Sequence, residues 1–248
     1  MSESDEYAID AARFTDALRE QRVARTPGGL YHLNQILMAY NSNRIEGSVL
    51  TEDQTRFIYE TRTIFASGDE AVPVDDIVET VNSFELLDEM IDRLDAPITA
   101  QTMKDYHAIL KRGTADARRS WFSVGDFKRM ANEVGGKSTV APEHVSIAID
   151  ELLAHTPTDM SFDDITDFHY RFESIHPFQD GNGRVGRILM FQQCLQHGIM
   201  PFIVLDDRKA FYYRGLTEYA KEPGFLRDTF RSLQDRYHAR FAKFIEVL

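Results

Sequence analysis

Residues 176–187 form a polar, glycine-rich segment between two stretches of helically spaced apolar residues. The upstream apolar residues, which indicate an amphipathic helix, are Ile165, Phe168, Phe172 and Ile175. Downstream, the apolar residues from Ile188 to Leu195 predict a second helix, which begins near Asn182 or Gly183 and ends before Gly198. The polar segment therefore connects two helices and leads directly into the second one.

The start of this second helix has the composition of an anion-binding site. The first N–H groups of a helix lack intrahelical partners and carry the positive end of the macrodipole, so they can hold a phosphate. Gly181 and Gly183 let the backbone approach an anion closely. Arg184 and Arg187 are three residues apart and share one helix face, and their guanidinium groups suit the outer phosphates of a nucleotide.

Two further side chains of the segment indicate chemistry beside the phosphates. Asp180 is only an acceptor when ionised. A triphosphate would repel it unless a hard cation lay between them, which indicates Mg²⁺. His176 can take up a proton near neutral pH, as a general base acting on a hydroxyl does.

The sequence of this segment allows two other interpretations. Gly181, Gly183 and Gly186 also match a dinucleotide-binding fingerprint, with Asp206 at about the expected distance beyond it. That fingerprint follows a buried strand, whereas the upstream spacing is helical, which argues against it. A polar loop with a glycine turn and two solvated arginines would explain each residue singly, but hardly all of them together.

The segment resembles the signature of the Fic family, His-x-Phe-x-(Asp/Glu)-Gly-Asn-Gly-Arg-x-x-Arg, and meets each fixed position from His176 to Arg187. The resemblance implies an all-α, Fic-type helical domain with a short β-hairpin flap. It also implies the typical activity of the family, the transfer of AMP from ATP to a Ser, Thr or Tyr hydroxyl of a target protein. A kinase-like branch carries lysine where this chain has Gly183, which argues against phosphate transfer.

The resemblance implies a role for each signature residue, with ATP as substrate and Mg²⁺ as cofactor. His176 would deprotonate the target hydroxyl, Phe178 would anchor the loop in the core, and Asp180 would hold Mg²⁺. Arg184 is expected at the β/γ end of the phosphates and Arg187 at the γ-phosphate. The whole phosphate-binding set that it implies is Gly181, Asn182, Gly183, Arg184 and Arg187.

A second informative stretch, residues 42–47, ends a helix that is predicted at about residues 30–47. Ser42 and Glu46 are four residues apart and share a helix face. By spacing alone, Glu46 is a solvated glutamate at a helix end. Beside the signature, the stretch resembles the inhibitory motif of the family, (Ser/Thr)-x-x-x-Glu-(Gly/Asn), which implies that Glu46 pairs with Arg187 and blocks the γ-phosphate. In some relatives the same glutamate helps to position water for removing AMP, and the sequence does not separate the two roles.

The best β candidate lies before the signature, within residues 130–140. A Gly-Gly turn there predicts a hairpin. Its position resembles that of the Fic flap, whose edge strand would hold a target segment by main-chain pairing and aim its hydroxyl at His176. An ordinary surface hairpin is the alternative. The expected flap residues are Gly135, Gly136, Lys137, Ser138 and Thr139.

Apolar spacing and caps predict the remaining helices. The first runs from about Tyr7 to Val23. A capping box at Thr51 opens another, with Phe57, Ile58, Ile64 and Phe65 turned inward. Further helices start after Pro73, after the cap Thr99 and at Pro142.

Four residues outside these motifs have simpler interpretations. His107 has no second metal ligand at helical spacing and is expected to be a packed structural residue. The single cysteine, Cys194, is expected to be a buried, inert thiol. Tyr212 and Tyr213 are candidates for an adenine pocket, although such aromatics more often belong to the core.

Composition limits the partners. The chain has 248 residues and a net charge of −12, which argues against binding to a nucleic-acid backbone. Its apolar runs are too short for a bilayer, and its acidic N-terminus argues against a signal peptide, so we expect a cytoplasmic protein without membrane contact. We expect one domain over residues 1–248, a target protein or the chain itself as partner, and leave open a homodimer. A deAMPylating hydrolase and a non-catalytic ATP-binding regulator are the alternative functions.

Overall fold

The computed structural model describes residues 8–65 and 71–246, and the predicted helix start at Tyr7 lies outside them. Helices make up most of the described chain, which confirms the all-α fold with a short hairpin. No helix in these two ranges is long and apolar enough to cross a membrane. The elements are α1 (Ala11–Ala24), α2 (Leu30–Ile45), α3 (Glu52–Thr61), α4 (Val74–Asp92), α5 (Ala100–Lys111), β1 (Glu133–Val134), β2 (Lys137–Ser138), α6 (Val145–Ala154), α7 (Phe162–Ile175), α8 (Asn182–Gln196), α9 (Lys209–Glu218) and α10 (Gly224–Ile245).

Helix α8 is the central element of the fold. All its residues except Gly183 and Gln196 are buried, and it packs against α1, α2, α4, α5 and α7. It begins at Asn182, as the spacing predicted, and Gly198 follows its end with a φ of 65°. The helix is thus enclosed along its length, and its N-terminus directly follows the polar segment 176–181.

Helix α7 supplies the other side of the polar segment. Ser161 and Asp164 form a capping box at its start, and the predicted apolar residues Phe172 and Ile175 are buried. The helix ends at Ile175 because His176 adopts the left-handed conformation, with a φ of 52°. A non-glycine residue in this region is uncommon, so the chain turns out of α7 at the predicted general base.

Helix α2 is buried on nearly all sides, and several of its polar side chains are therefore tied to neighbours. Asn43 donates to the hydroxyl of Ser83, and Gln35 donates to that of Tyr31. The helix packs against α1, α3, α4 and α8. These contacts fix the end of α2, and hence Glu46, against the central helix.

The local sequence predicted the starts of the helices well, but it predicted the buried face of α3 poorly. Thr51 forms the predicted capping box, while Pro142 begins a short 3₁₀ turn ahead of α6. Ile58 is buried, but the predictions for Phe57 and Phe65 are wrong: their side chains are 37% and 63% exposed, and they pack edge-on against each other. Adjacent helical residues point about 100° apart, so Ile58 can be buried while Phe57 stays partly exposed.

Candidate active site

His176 stands at the end of α7 with its imidazole on a deep cavity. Its backbone N–H donates to the Phe172 carbonyl at 3.0 Å, and its Nδ1 lies 3.3 Å from the Glu173 carbonyl oxygen. Burial, together with the nearby charge of Lys128, lowers the pKa of His176 to about 4. The imidazole is therefore neutral at pH 7. Because a carbonyl only accepts, Nδ1 carries the proton and Nε2 is left to receive one.

The loop after His176 is closed by the side chain of Asn182. The Phe178 N–H donates to Asn182 Oδ1 at 2.7 Å, and Asn182 Nδ2 donates to the Phe178 carbonyl at 2.8 Å. Phe178 is fully buried and stacks on His107, with ring centroids 4.2 Å apart. Phe178 thus anchors the loop and His107 is a packed residue, as predicted. The Asn182 amide serves the loop backbone rather than the cavity.

Two glycines allow the chain to turn from this loop into α8 and allow other side chains to approach the start of that helix. Gly181 caps α8 with a φ of 82°, in the left-handed region where glycine carries no Cβ penalty. At Gly183 a Cβ would lie 2.3 Å from Glu46 Oε1 and 2.8 Å from Arg187 Nη1. A glycine at position 183 is therefore needed for Glu46 and Arg187 to meet over the helix start.

Arg187 is held by the end of α2. Its Nη2 donates to Glu46 Oε1 at 2.7 Å and to the Ser42 carbonyl at 3.0 Å, while its Nε donates to Ser42 Oγ at 2.9 Å. Burial alone would lower the pKa of Arg187, but the Glu46 charge outweighs it and raises the pKa. The side chain of Arg187 is 2% exposed and that of Glu46 29%. The spacing of Ser42 and Glu46 therefore does place both on Arg187.

Arg184 takes part in a separate ionic cluster. Its Nη1 pairs with Glu79 of α4, and its Nη2 lies 3.3 Å from Asp180 Oδ2. Lys111 of α5 donates to Glu79 Oε1 at 2.5 Å and to the same Asp180 Oδ2 at 2.6 Å. Burial would raise the pKa of Asp180, but Arg184 and Lys111 lower it to about 2. Asp180 is therefore ionised, and these four side chains form what we call the Asp180 cluster.

The predicted hairpin forms and is tied to the His176 loop. Glu133 pairs with Ser138 and Val134 with Lys137, and both turn glycines have positive φ, as a type I′ turn requires. Behind the hairpin, the buried Lys128 donates through Nζ to Asn132 Oδ1, Thr139 Oγ1 and the Ile175 carbonyl. Its backbone N–H donates to the Pro177 carbonyl at 2.8 Å. One lysine thus joins the base of the hairpin to the residues on either side of His176.

A cavity of about 710 Å³ brings part of the predicted site together. Its walls come from the end of α2, the hairpin, the end of α7, the start of α8 and α9. The predicted residues on it are Glu46, Gly135, Lys137, Ser138, Thr139, His176, Gly183 and Arg187. Ser42, Gly136, Asp180, Gly181, Asn182 and Arg184 support these residues or lie beside them without lining the cavity.

The aromatic wall of the cavity comes from α9. Tyr212 and Tyr213 both line it, as does Tyr170 of α7. The Tyr212 ring lies 6.0 Å from the Arg187 guanidinium, and its hydroxyl is 2.9 Å from His169 Nε2. Aromatic walls beside a cationic group suit a flat base and its phosphates. The adenine-pocket interpretation of these tyrosines stays a prediction.

Sequence reasoning missed several residues of the site. Glu79, Lys111 and Lys128 belong to no motif, and their contacts with Arg184, Asp180 and Ile175, respectively, join residues that are far apart in the chain. Glu173 lines the cavity with its Oε1 buried and without a hydrogen-bond partner among the described residues. Burial raises the pKa of Glu173 to about 8, so its carboxyl is largely neutral at pH 7. Its position three residues before His176 was the only available signal.

Magnesium fits the donor chemistry of the site when it arrives with a nucleotide. Mg²⁺ is usually bound by one or two carboxylates together with substrate phosphates. The Asp180 side chain is ionised and 47% exposed, and its two ion pairs are both made through Oδ2. In the described part of the chain no three His, Cys, Asp or Glu side chains are grouped to hold a metal by themselves. Asp180 therefore suits a metal shared with phosphates rather than a closed protein site.

Three histidines should make the stability depend on pH. Burial lowers the pKa of His107 to about 4, that of His169 to about 3 and that of His176 to about 4, from an ordinary 6.5. At a pH between these lowered pKa values and the ordinary value, the unfolded state binds more protons than the folded state. The free energy of unfolding should therefore fall as the pH decreases through this range. Glu173 acts in the opposite direction, because its raised pKa makes the folded state bind more protons than the unfolded state. It therefore offsets the effect of about one of the three histidines on the free energy of unfolding.

Thermal unfolding midpoints between about pH 7 and about pH 4.5 test this prediction. The double variant His107→Gln/His169→Gln should show a flatter decline toward acid than the parent chain. An equal slope in both proteins would mean that these two histidines do not carry the effect.

Comparison with known proteins assigns the domain. Residues 97–194 match the family model described as the Fic/DOC family. The protein adenylyltransferase Fic of Nematostella vectensis is 30% identical over 190 residues, 72% of this chain and 42% of the relative. That of Aedes aegypti is 29% identical over 185 residues, 70% of this chain and 35% of the relative. The chain therefore spans less than half the length of these curated relatives.

Solved structures share the fold. A Fic domain containing signaling protein from Bacteroides thetaiotaomicron has a TM-score of 0.67 at 21% identity, covering 87% of this chain and 85% of its own. Fic-1 from C. elegans has a TM-score of 0.66 at 21% identity, covering 96% of this chain and 71% of its own. The motif, the family match and the shared fold lead to one assignment: this chain contains a domain of the Fic/DOC family.

Proposed function

We propose that this chain is a protein adenylyltransferase that transfers AMP from ATP to a Ser, Thr or Tyr hydroxyl and is restrained by Glu46. The observation that carries the proposal is the shared cavity, in which the neutral imidazole of His176 and the guanidinium of Arg187 face the same space. A base for a hydroxyl and a cation for a phosphate tail are the two groups that this reaction needs. The relatives named protein adenylyltransferase Fic support the same activity.

In this proposal the triphosphate of ATP lies along the start of α8. Gly183, in the first turn of α8, lines the cavity, so a phosphate there meets the positive end of the helix. Arg187 would hold the γ-phosphate, and Asp180 would hold Mg²⁺, which supplies charge neutralisation to the phosphates when bound. Arg184 would hold Asp180 in place, because its guanidinium already contacts the carboxylates of Glu79 and Asp180.

The chemical step requires one proton transfer and one displacement. Nε2 of His176 takes the proton of the target hydroxyl, and the hydroxyl oxygen forms a bond to the α-phosphorus. The bond between the α-phosphorus and the bridging oxygen to the β-phosphate breaks, and pyrophosphate leaves. Fixed donors at the phosphate end match the growing charge of the leaving group, which lowers the barrier most.

The hairpin suits the role of the target-holding flap. Its strands are short and exposed, and Val134, Lys137 and Ser138 line the cavity near His176. An extended target segment can add to such an edge by main-chain pairing. Since Lys128 ties the hairpin to the residues flanking His176, the flap and the base would keep a fixed separation.

We also propose that the family domain extends beyond the matched residues 97–194, from α2 to the C-terminal helices. Arg187 of α8 is satisfied by Ser42 and Glu46 at the end of α2. On the other side, α9 supplies Tyr212 to the cavity, and α10 packs against α9 and α7. The site would thus be incomplete without elements on both sides of the match.

Removal of AMP from a modified protein is a second candidate, because Glu46 lines the same cavity as His176. Incubation of the purified chain with ATP and Mg²⁺ separates the candidates. A transferase releases pyrophosphate and retains AMP on protein, and a regulator that only binds ATP releases neither product. A hydrolase liberates AMP from an AMP-modified target and loses this activity in a Glu46→Gly variant.

The Arg187→Ala substitution should weaken ATP binding. We expect a loss of roughly 10- to 100-fold in affinity, because a charged hydrogen bond contributes about 1.5–3 kcal/mol. The measurement is made in a Glu46→Gly background, so that no carboxylate is left without its partner. Arg171→Ala, on the exposed side of α7, is the control and should bind ATP like its parent. Equal ATP affinity with and without the Arg187 side chain would contradict the assignment.

A further inference from the structure

The Asp180 cluster contains two residues that lie outside the signature, Glu79 of α4 and Lys111 of α5. The four groups form a closed ring of contacts in which each cation contacts both carboxylates. Lys111 Nζ is also 3.5 Å from Asp116 Oδ2. The ring itself contains two cations and two carboxylates, and Asp116 is a further carboxylate beside it.

Burial is graded across the Asp180 cluster. The side chain of Lys111 is 2% exposed, that of Arg184 5%, that of Glu79 17% and that of Asp180 47%. A buried ammonium with charged partners is costly to place and is kept only when its contacts are well formed. The three more enclosed groups therefore form a fixed support, and Asp180 is the member most accessible to solvent.

The backbone around Lys111 is itself held by hydrogen bonds from neighbouring side chains. The buried amide of Asn82 donates to the carbonyls of Leu110 and Arg112, on either side of Lys111, at 2.9 and 2.8 Å. The hydroxyl of Thr114 donates to the Lys111 carbonyl at 2.8 Å. The backbone at the end of α5 thus cannot shift easily, and the ammonium stays on Asp180 Oδ2.

Both cations contact the same carboxylate oxygen. Lys111 and Arg184 meet at Oδ2 of Asp180, and Oδ1 takes part in neither ion pair. Groups that contact a metal-binding carboxylate from behind orient it and tune its affinity. Such support suits a magnesium site with a single carboxylate, because it fixes the orientation of Oδ1, the oxygen that neither cation contacts.

We propose that Lys111 and Glu79 are positioning residues that hold the Asp180 carboxylate, through Oδ2, in the orientation in which it binds the divalent cation of the nucleotide. Glu79 acts by placing the two cations, Lys111 and Arg184, and neither Glu79 nor Lys111 needs to touch the nucleotide. The inference rests on the proposed function, since it assumes that a metal–ATP complex binds at Asp180.

The test measures ATP affinity by calorimetry in the Glu46→Gly background, once with Mn²⁺ and once with EDTA. The ratio of the two affinities is the metal enhancement. The double variant Lys111→Met/Glu79→Gln removes the hold without leaving an unpaired carboxylate. We expect it to reduce the metal enhancement by about tenfold, as loss of supporting residues does at other metal sites, and to leave the EDTA affinity unchanged.

Two reference variants make the outcomes distinct. Asp180→Asn should abolish the metal enhancement, and Lys104→Met, two turns earlier on α5 and paired with Asp126, should keep it. If Asp180→Asn retains the enhancement, the metal assignment in the proposed function fails. If Asp180→Asn loses it while the Lys111→Met/Glu79→Gln protein keeps it, the present inference is overturned and the proposed function stands.

A charge-preserving variant covers the case in which the double variant does not fold. Lys111→Arg keeps the positive charge inside the Asp180 cluster, and we expect its longer, planar head to contact Asp180 with a different geometry and so to turn the carboxylate. It should fold, as judged by an unchanged unfolding transition, and show a reduced metal enhancement. A metal enhancement equal to that of the parent would overturn the inference by itself.

Discussion

The Glu46→Gly variant is expected to transfer AMP roughly 10- to 100-fold faster than the parent chain. Glu46 occupies Arg187 through a 2.7 Å contact, and it lies so near the start of α8 that a Cβ at Gly183 would meet it. A γ-phosphate must displace this carboxylate and bear its repulsion. The charged hydrogen bond is worth about 1.5–3 kcal/mol, and its removal returns that free energy to nucleotide binding.

The measurement is the rate at which label from ATP enters protein, with both proteins at the same concentration. Glu46 caps α2 with a φ of −85° and a ψ of 5°, so glycine fits the backbone there. Glu46→Gln is the matched control, because it keeps the size of the side chain and removes its charge. It should give an intermediate rate. A Glu46→Gly protein no faster than the parent would exclude the restraint.

The His176→Ala variant should lose transfer by about 10²- to 10⁴-fold, the usual contribution of a general base. Its ATP affinity should not change, because the imidazole acts on the target hydroxyl and not on the phosphate tail. The readouts are the transfer rate and the dissociation constant of ATP, both in the Glu46→Gly background. Transfer that survives without the imidazole would remove the base assignment.

His155 provides a control at a comparable position, the C-terminus of a helix. It ends α6 as His176 ends α7, and its Nδ1 contacts the Glu151 carbonyl as that of His176 contacts the Glu173 carbonyl. It is exposed and does not line the cavity, so His155→Ala should leave transfer intact. Because His176 has a positive φ, His176→Asn is a useful second variant, since asparagine tolerates that conformation and provides no comparable base.

Local sequence signals carried much of the prediction of the fold. The capping box at Thr51, the cap at Thr99, the start of α8 at Asn182 and the Gly-Gly hairpin were all predictable because each depends on residues within about one turn. The exposed position of Phe57 was not predictable, because Ile58 beside it is also apolar and only packing against other elements decides which of the two is buried.

The site was only partly predictable for a related physical reason. The pairing of Arg187 with Ser42 and Glu46, 141 residues apart in the last case, was accessible only through a motif resemblance. No motif marks Lys111, whose contact with Asp180 spans 69 residues, or Glu79, whose contact with Arg184 spans 105. Buried charges must find partners wherever the fold brings them, so such pairs follow from the packing of α4, α5 and α8 rather than from local pattern.

The most direct test of the central claim uses ATP labelled at either end of its phosphate chain. The Glu46→Gly protein is incubated with Mg²⁺ and with α-labelled or γ-labelled ATP, and the protein fraction is counted in each case beside its His176→Ala counterpart. The account predicts label on protein from the α-phosphate alone, and only when His176 is present. Label from the γ-phosphate alone, or α-label that does not depend on His176, would contradict it.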